Sequence, residues 1–118
     1  MGTVQIKRVY DPVEATDGKR ILVDRLWPRG MKKESAHLDE WLKDIAPCTE
    51  LRKWFHQDTT QWPEFTGRYT LELKQNSAVN MLLGIINTNK IVTLLYGAHD
   101  TEHNHALVLL QFINEAIK

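Results

Sequence analysis

The sequence predicts an α/β fold: a small, mainly parallel sheet of about three strands packed with about five helices, in one domain spanning residues 1–118. Three observations predict it. Residues 20–26 (RILVDRL) and 90–96 (KIVTLLY) are near-continuous apolar runs, as expected of strands buried on both faces. Residues 4–9 (VQIKRV) alternate apolar and polar, the period of a half-buried strand. Elsewhere the apolar residues recur at helical spacing, so helices separate and follow the strands. A chain of this length buries roughly two thirds of the surface its unfolded form exposes, enough for a core without disulfides or a structural metal.

Each element has its own signal. Strand 4–9 reads as an edge, and Asp11-Pro12 and Asp17-Gly18 bracket a turn-rich connector after it. That connector is about ten residues long, short for a parallel crossover, so an antiparallel pairing of the first two strands stays open. Trp27-Pro28-Arg29-Gly30 stops the second strand. Leu38, Trp41, Leu42 and Ile45 then follow i, i+3, i+4, i+7, predicting a core-facing helix that Pro47 ends. Thr49 is the expected N-cap of a second helix carrying Leu51, Trp54 and Phe55. A third starts at Trp62-Pro63, with Pro in the first turn and Phe65, Tyr69 and Leu73 facing inward. Ser77 is expected to cap a fourth, with Val79, Leu82, Leu83 and Ile86 inside. After strand 90–96, Gly97 and Ala98 break the chain, and residues 102–117 form the last helix, with Asp100 as its N-cap.

Charge narrows the function. Fifteen Lys and Arg balance fifteen Asp and Glu, and a zero net charge weighs against nucleic acid or anionic membrane held by bulk electrostatics. The mean hydropathy is −0.39. No run approaches the roughly 18 apolar residues of a membrane span, and the N-terminus has no signal-peptide core, so a cytoplasmic, non-membrane protein is expected. The lone Cys48 suits a reducing compartment and reads as a bland residue at a helix break. The average conceals one segment. Residues 19–33 hold Lys19, Arg20, Arg25, Arg29, Lys32 and Lys33 against Asp24 alone, a local net of +5.

In open α/β sheets ligands bind outside the carboxyl ends of the strands. That rule selects Asp24, Arg25, Trp27, Arg29 and Gly30 after the second strand, and Tyr96, Asp100, Asn104 and His105 after the last. Arginine forks suit phosphate or carboxylate, and a helix N-terminus adds oriented N–H groups, so a small anionic ligand is the expected partner. Trp27 would form a cleft wall, whereas Trp41 and Trp54 sit at core spacing. Asp24 and Arg25, adjacent on a strand, would point to opposite faces. His99-Asp-Thr-Glu-His103 matches the H-x-x-E-H pattern of inverted zinc peptidases, but His99 falls in a turn and no downstream third ligand follows. No metal site is therefore expected, although a cation held by His99, His103 and His105 stays open, and the cofactor is unassigned.

Arg8-Val-Tyr-Asp11, the long block Gly18–Gly30, Leu38–Pro47, Glu50–Phe55, Arg68-Tyr69, and Val92–Ala98 with Asp100 and Asn104-His105 resemble the bacterial domain-of-unknown-function 488 family, in its short YeaO-like branch. The resemblance covers nearly the whole chain and implies an α/β fold without an established reaction. It implies that Asp24-Arg25 stands for the Asp-Val-Arg element of longer members, and Tyr96 with Asn104-His105 for their Cys-x-Glu and Cys-His-Arg elements. This chain has neither cysteine there, and Ala106 follows His105.

Three readings compete. The first is an enzyme on a small phosphorylated or nucleotide-like substrate, with Asp24, Tyr96 and His105 catalytic and Arg25, Trp27, Arg29, Gly30, Asp100 and Asn104 binding. The alternative is a non-catalytic nucleic-acid or protein binding or regulatory module. The third is an interaction protein whose motifs encode packing alone. Residue pattern leaves the reaction and the oligomeric state open.

Overall fold

The computed structural model describes residues 2–117. Its sheet has four strands: β1 Thr3–Arg8, β2 Lys19–Leu22, β3 Glu40–Trp41 and β4 Ile91–Tyr96, in the order β1-β4-β2-β3. Every pairing is parallel, with Thr3 opposite Ile91, Lys19 opposite Val92 and Ile21 opposite Glu40. The first two strands never meet, because β4 inserts between them. β1 is an edge, as its alternation implies. Five helices complete the fold: α1 Lys33–Ala36, α2 Thr49–Gln57, α3 Trp62–Lys74, α4 Ala78–Asn87 and α5 His105–Ala116. Among the described residues no helix is long and apolar enough to cross a membrane.

Strand alternation sorts the core into two unequal parts. Ile21, Val23, Val92, Leu94 and Tyr96 face the helices and pack with Phe55, Tyr69, Leu82, Ile86 and Leu109 in the main cluster. The opposite face holds a small cluster of Val9, Leu22 and Leu95, covered by Trp27, Met31 and Leu38. Beside it lies a buried polar network. Arg20 is 3% exposed and Asp17 2%; they form a buried ion pair, while the Arg20 guanidinium also donates to the Ala36 carbonyl. Lys7 Nζ reaches Asp17 Oδ1 and Glu14 Oε1, each at 3.0 Å. Burial opposes the Asp17 charge, but the Glu14 N–H and the Lys7 and Arg20 cations outweigh it and hold this carboxyl below its ordinary range. Gly18 between them has φ 61°, and a Cβ there would lie 2.2 Å from the Ile91 carbonyl oxygen. Only glycine fits.

Several local expectations fail. The helix expected from Leu38 is absent; that stretch forms the two-residue β3 and a 3-10 turn at Lys43–Ile45. Its start is blocked by His37, in the left-handed region at φ 49°, and by Asp39, whose carboxylate accepts the Arg20 backbone N–H at 2.9 Å. Leu42 and Ile45 are still buried, but Trp41 is 36% exposed rather than core. The second strand ends at Leu22, short of residue 26, which frees the following residues to turn. α5 begins at His105, capped by Asn104 rather than Asp100. Cys48 Sγ, not Thr49, caps α2 by accepting the Leu51 N–H at 3.4 Å. Asn76, not Ser77, accepts the Ala78 N–H at the start of α4.

Candidate functional site

A cleft of about 510 Å³ opens at the carboxyl ends of β2 and β4. The segment after β2 contributes Asp24, Arg25, Trp27 and Arg29, and the segment after β4 contributes Gly97, Ala98 and His99. His103, Asn104 and His105 enter from the start of α5, and Arg52, Phe55 and His56 from α2. Tyr10 and Phe65 close the remaining sides.

Asp24 is the floor of this arrangement. Its Oδ2 accepts the Gly97 N–H at 2.9 Å, tying the two strand ends together. His105 Nε2 lies 3.0 Å from the Val23 carbonyl and 3.1 Å from Asp24 Oδ1. A carbonyl only accepts, so Nε2 carries the proton and points it at Val23. Asp24 Oδ1 is buried and makes no hydrogen bond. Asp24 and Arg25 do not diverge to opposite faces: with the strand ended at Leu22, both border the cleft. Arg25 donates from Nε to the Pro47 carbonyl at 3.2 Å and from Nη2 to the Ala46 carbonyl at 3.0 Å, fastening the approach to α2.

Trp27 forms a wall, as its position after β2 implies. Its indole N–H donates to the Met31 carbonyl at 2.7 Å, and it meets Trp41 edge to face, ring centroids 5.4 Å apart. Trp41 in turn donates to the Asp24 carbonyl at 2.7 Å. Arg29 sits exposed on the rim, where its backbone carbonyl accepts the Tyr10 hydroxyl at 2.8 Å. Three expected site residues fall outside the lining. Tyr96 is 3% exposed within the main core, where burial raises its phenol pKa. Gly30, at φ 75°, serves the turn. Asp100 stands on the surface, its Oδ1 accepting the Glu102 and His103 N–H groups and its Oδ2 lying 3.0 Å from His103 Nδ1. Those backbone bonds, with His103, lower the Asp100 pKa. Asn104 lines the cleft, but both its polar atoms are committed, Oδ1 to the Leu107 N–H and Nδ2 to the Asp100 carbonyl.

The family model described as "Inactive DUF488-N3 subclade" matches residues 3–118. The chain belongs to the DUF488 family. It is similar to "Uncharacterized protein YeaO" of Escherichia coli (strain K12), 51% identical over 110 residues, which cover 93% of this chain and 96% of that protein. It is also similar to "Uncharacterized protein Rv3073c" of Mycobacterium tuberculosis (strain ATCC 25618 / H37Rv), 37% identical over 94% of this chain and 93% of that one. No solved structure matches.

In this DUF488 chain, residues that motif reading passes over stand in the cleft (Arg52 and His56) or behind its lining (Arg8). Arg8 Nε donates to the Ala98 carbonyl at 2.9 Å, its Nη2 lies 3.4 Å from His99 Nδ1, and its guanidinium stands 5.1 Å from the Tyr10 ring centre. Arg52 and His56 are i, i+4 neighbours on α2, beside the Leu51 and Phe55 stripe. That spacing is the one sequence signal that places them on a common face. No three His, Cys, Asp or Glu side chains among the described residues gather as a metal-ligand set. Cys48 stays apart: its contact with Glu72 and then burial push the thiol pKa up, against the reactive thiolate.

Proposed function

We propose that the cleft binds a small anionic ligand, phosphorylated or nucleotide-like, without turning it over. One observation carries the reading: three arginines and four histidines line the cleft against a single carboxylate, Asp24. Aromatic and apolar walls from Trp27, Phe55 and Phe65 lower the local dielectric and strengthen any charge they surround. The absence of turnover is supported by the commitments of the polar groups. Asp24 Oδ2 serves Gly97, the His105 proton serves Val23, and Tyr96 is packed in the core. The matching family model is itself described as inactive. Zero net charge favours one focused anion over a polyanion.

Catalysis is the second reading, favoured by the 3.1 Å approach of Asp24 Oδ1 to His105 Nε2, an acid beside an imidazole at the cleft floor. Calorimetric and thermal-shift titration of the full chain with ribonucleoside 5′-monophosphates and inorganic pyrophosphate tests both readings. Saturable binding is expected, with about 2.7 kcal/mol of stabilisation at a hundredfold excess over Kd, and the added nucleotide should be recovered unchanged. If no phosphorylated probe binds at low salt, the proposal fails; if the nucleotide is consumed, the second reading replaces the first.

A further inference from the structure

We propose that Arg52, with His56 one helical turn further along α2, is the anion-holding pole of the cleft, and that the ligand pairs a flat apolar body with one phosphate-type group. This rests on the anion-binding reading above and assigns it a direction. The arginines of the described chain divide by what their guanidinium groups already do. Arg20 is spent on Asp17 and the Ala36 carbonyl, Arg25 on the Ala46 and Pro47 carbonyls, and Arg8 on the Ala98 carbonyl. Arg68 lies over Trp54 and pairs with Glu64. Only the side chains of Arg29 and Arg52 make no hydrogen bond, ion pair or ring contact among the described residues. The two differ in setting. Arg29 is exposed on the rim, where water satisfies it.

Arg52 is half-buried in the cleft, and its Nε is buried without any acceptor. A buried N–H with no partner is a deficit that an incoming acceptor removes. The Nε and Nη edge of a guanidinium presents two parallel N–H groups that match two oxygens of a phosphate, a geometry a lysine lacks. His56 shares this helical face and adds a second donor four residues on. The same cleft has an apolar lining as well: Ala46, Pro47, Phe55 and Phe65, with Trp27 and Pro28 from the segment after β2. An isolated inorganic ion would leave those walls in water, so a ligand with a flat apolar body suits the cleft better.

The test titrates the full-length wild type, Arg52→Ala, Arg52→Lys and Arg29→Ala with the four ribonucleoside 5′-monophosphates and their parent nucleosides. Binding is followed by calorimetry and folding by circular dichroism. The expected result is binding of at least one monophosphate by the wild type and a loss of about tenfold or more in Arg52→Ala. A severalfold loss is expected in Arg52→Lys, and a smaller one in Arg29→Ala. Affinity within twofold of wild type in a folded Arg52→Ala overturns the assignment while leaving the anion-binding reading intact. Should Arg52→Ala not fold, Arg52→Lys decides, and wild-type affinity there overturns the bidentate role. A nucleoside binding as tightly as its monophosphate also overturns it. If pyrophosphate alone binds the wild type, the assignment of a flat apolar body fails and the anion-binding reading stands; if pyrophosphate does not bind either, both fall.

Discussion

The two ends of β2 carry arginines that a charge count treats alike and the fold treats oppositely. At the amino end, Arg20 is 3% exposed, locked to Asp17 and to the carbonyl that ends α1. At the carboxyl end, Arg25 holds backbone beside an open cleft, Arg29 stands in solvent and Arg52 from α2 faces the same space unpaired. The local excess of +5 in residues 19–33 therefore does not measure a site. Asp17 lies just outside that window and neutralises Arg20 across a three-residue step. A cation with a buried carboxylate fixes the fold, and a cation left without one is available to a ligand.

Substitutions at each end sharpen the contrast. The largest effect is expected from Asp17→Ala, which leaves Arg20 buried without its counter-charge and should lower unfolding free energy by about 3–5 kcal/mol in urea titrations. Ligand affinity per folded molecule should not change; a selective loss of binding would erase the distinction between the two ends. Because the Asp17 pKa is depressed in the folded state, its stabilising contribution is present above the unfolded carboxyl value, near pH 4. It is lost as pH falls through the lower folded value. The acid limb of stability against pH should thus be shallower in Asp17→Asn than in wild type, and equal limbs would contradict the buried pair. Asp24→Ala removes the acceptor of the Gly97 N–H and should cost about 1–3 kcal/mol. Arg25→Ala, which frees two backbone carbonyls, is expected near 1 kcal/mol. The smallest change belongs to Arg52→Ala, within about 0.5 kcal/mol of wild type, because nothing in the described chain depends on its guanidinium. A larger loss would make Arg52 structural after all.

The parallel sheet, the helices carrying Phe65, Tyr69, Leu73 and Val79, Leu82, Ile86, and the location of a cleft at the strand ends were legible in residue pattern, because burial imposes period on sequence. The segment 38–46 was not. Leu38, Trp41, Leu42 and Ile45 satisfy helical spacing, yet Ile45 reaches the core from a 3-10 turn and Leu42 from the residue that links this turn to β3. What decides it is tertiary: the Asp39 carboxylate and the Trp41 indole each bond to the β2 segment, at Arg20 N and the Asp24 carbonyl. The candidate site was half legible for a related reason. Asp24, Arg25, Trp27, Arg29, Asn104 and His105 follow strand ends and do line the cleft, whereas Tyr96 points into the core. Arg52 and His56 belong to a helix far along the chain from both strand ends, and only packing brings them in.

The position of β4 has a kinetic consequence. β4, the inner strand that pairs with both β1 and β2, is the last of the four to be synthesised, and no two strands adjacent in the sheet are joined by a hairpin. During translation β1 has no sheet partner, and β2 only the two-residue β3, until Ile91–Tyr96 emerges and closes two long loops at once. Loop closure of that kind is slow, on the order of milliseconds to seconds for chains rich in distant contacts. The nascent chain is thus most exposed to misassociation just before its final third is complete.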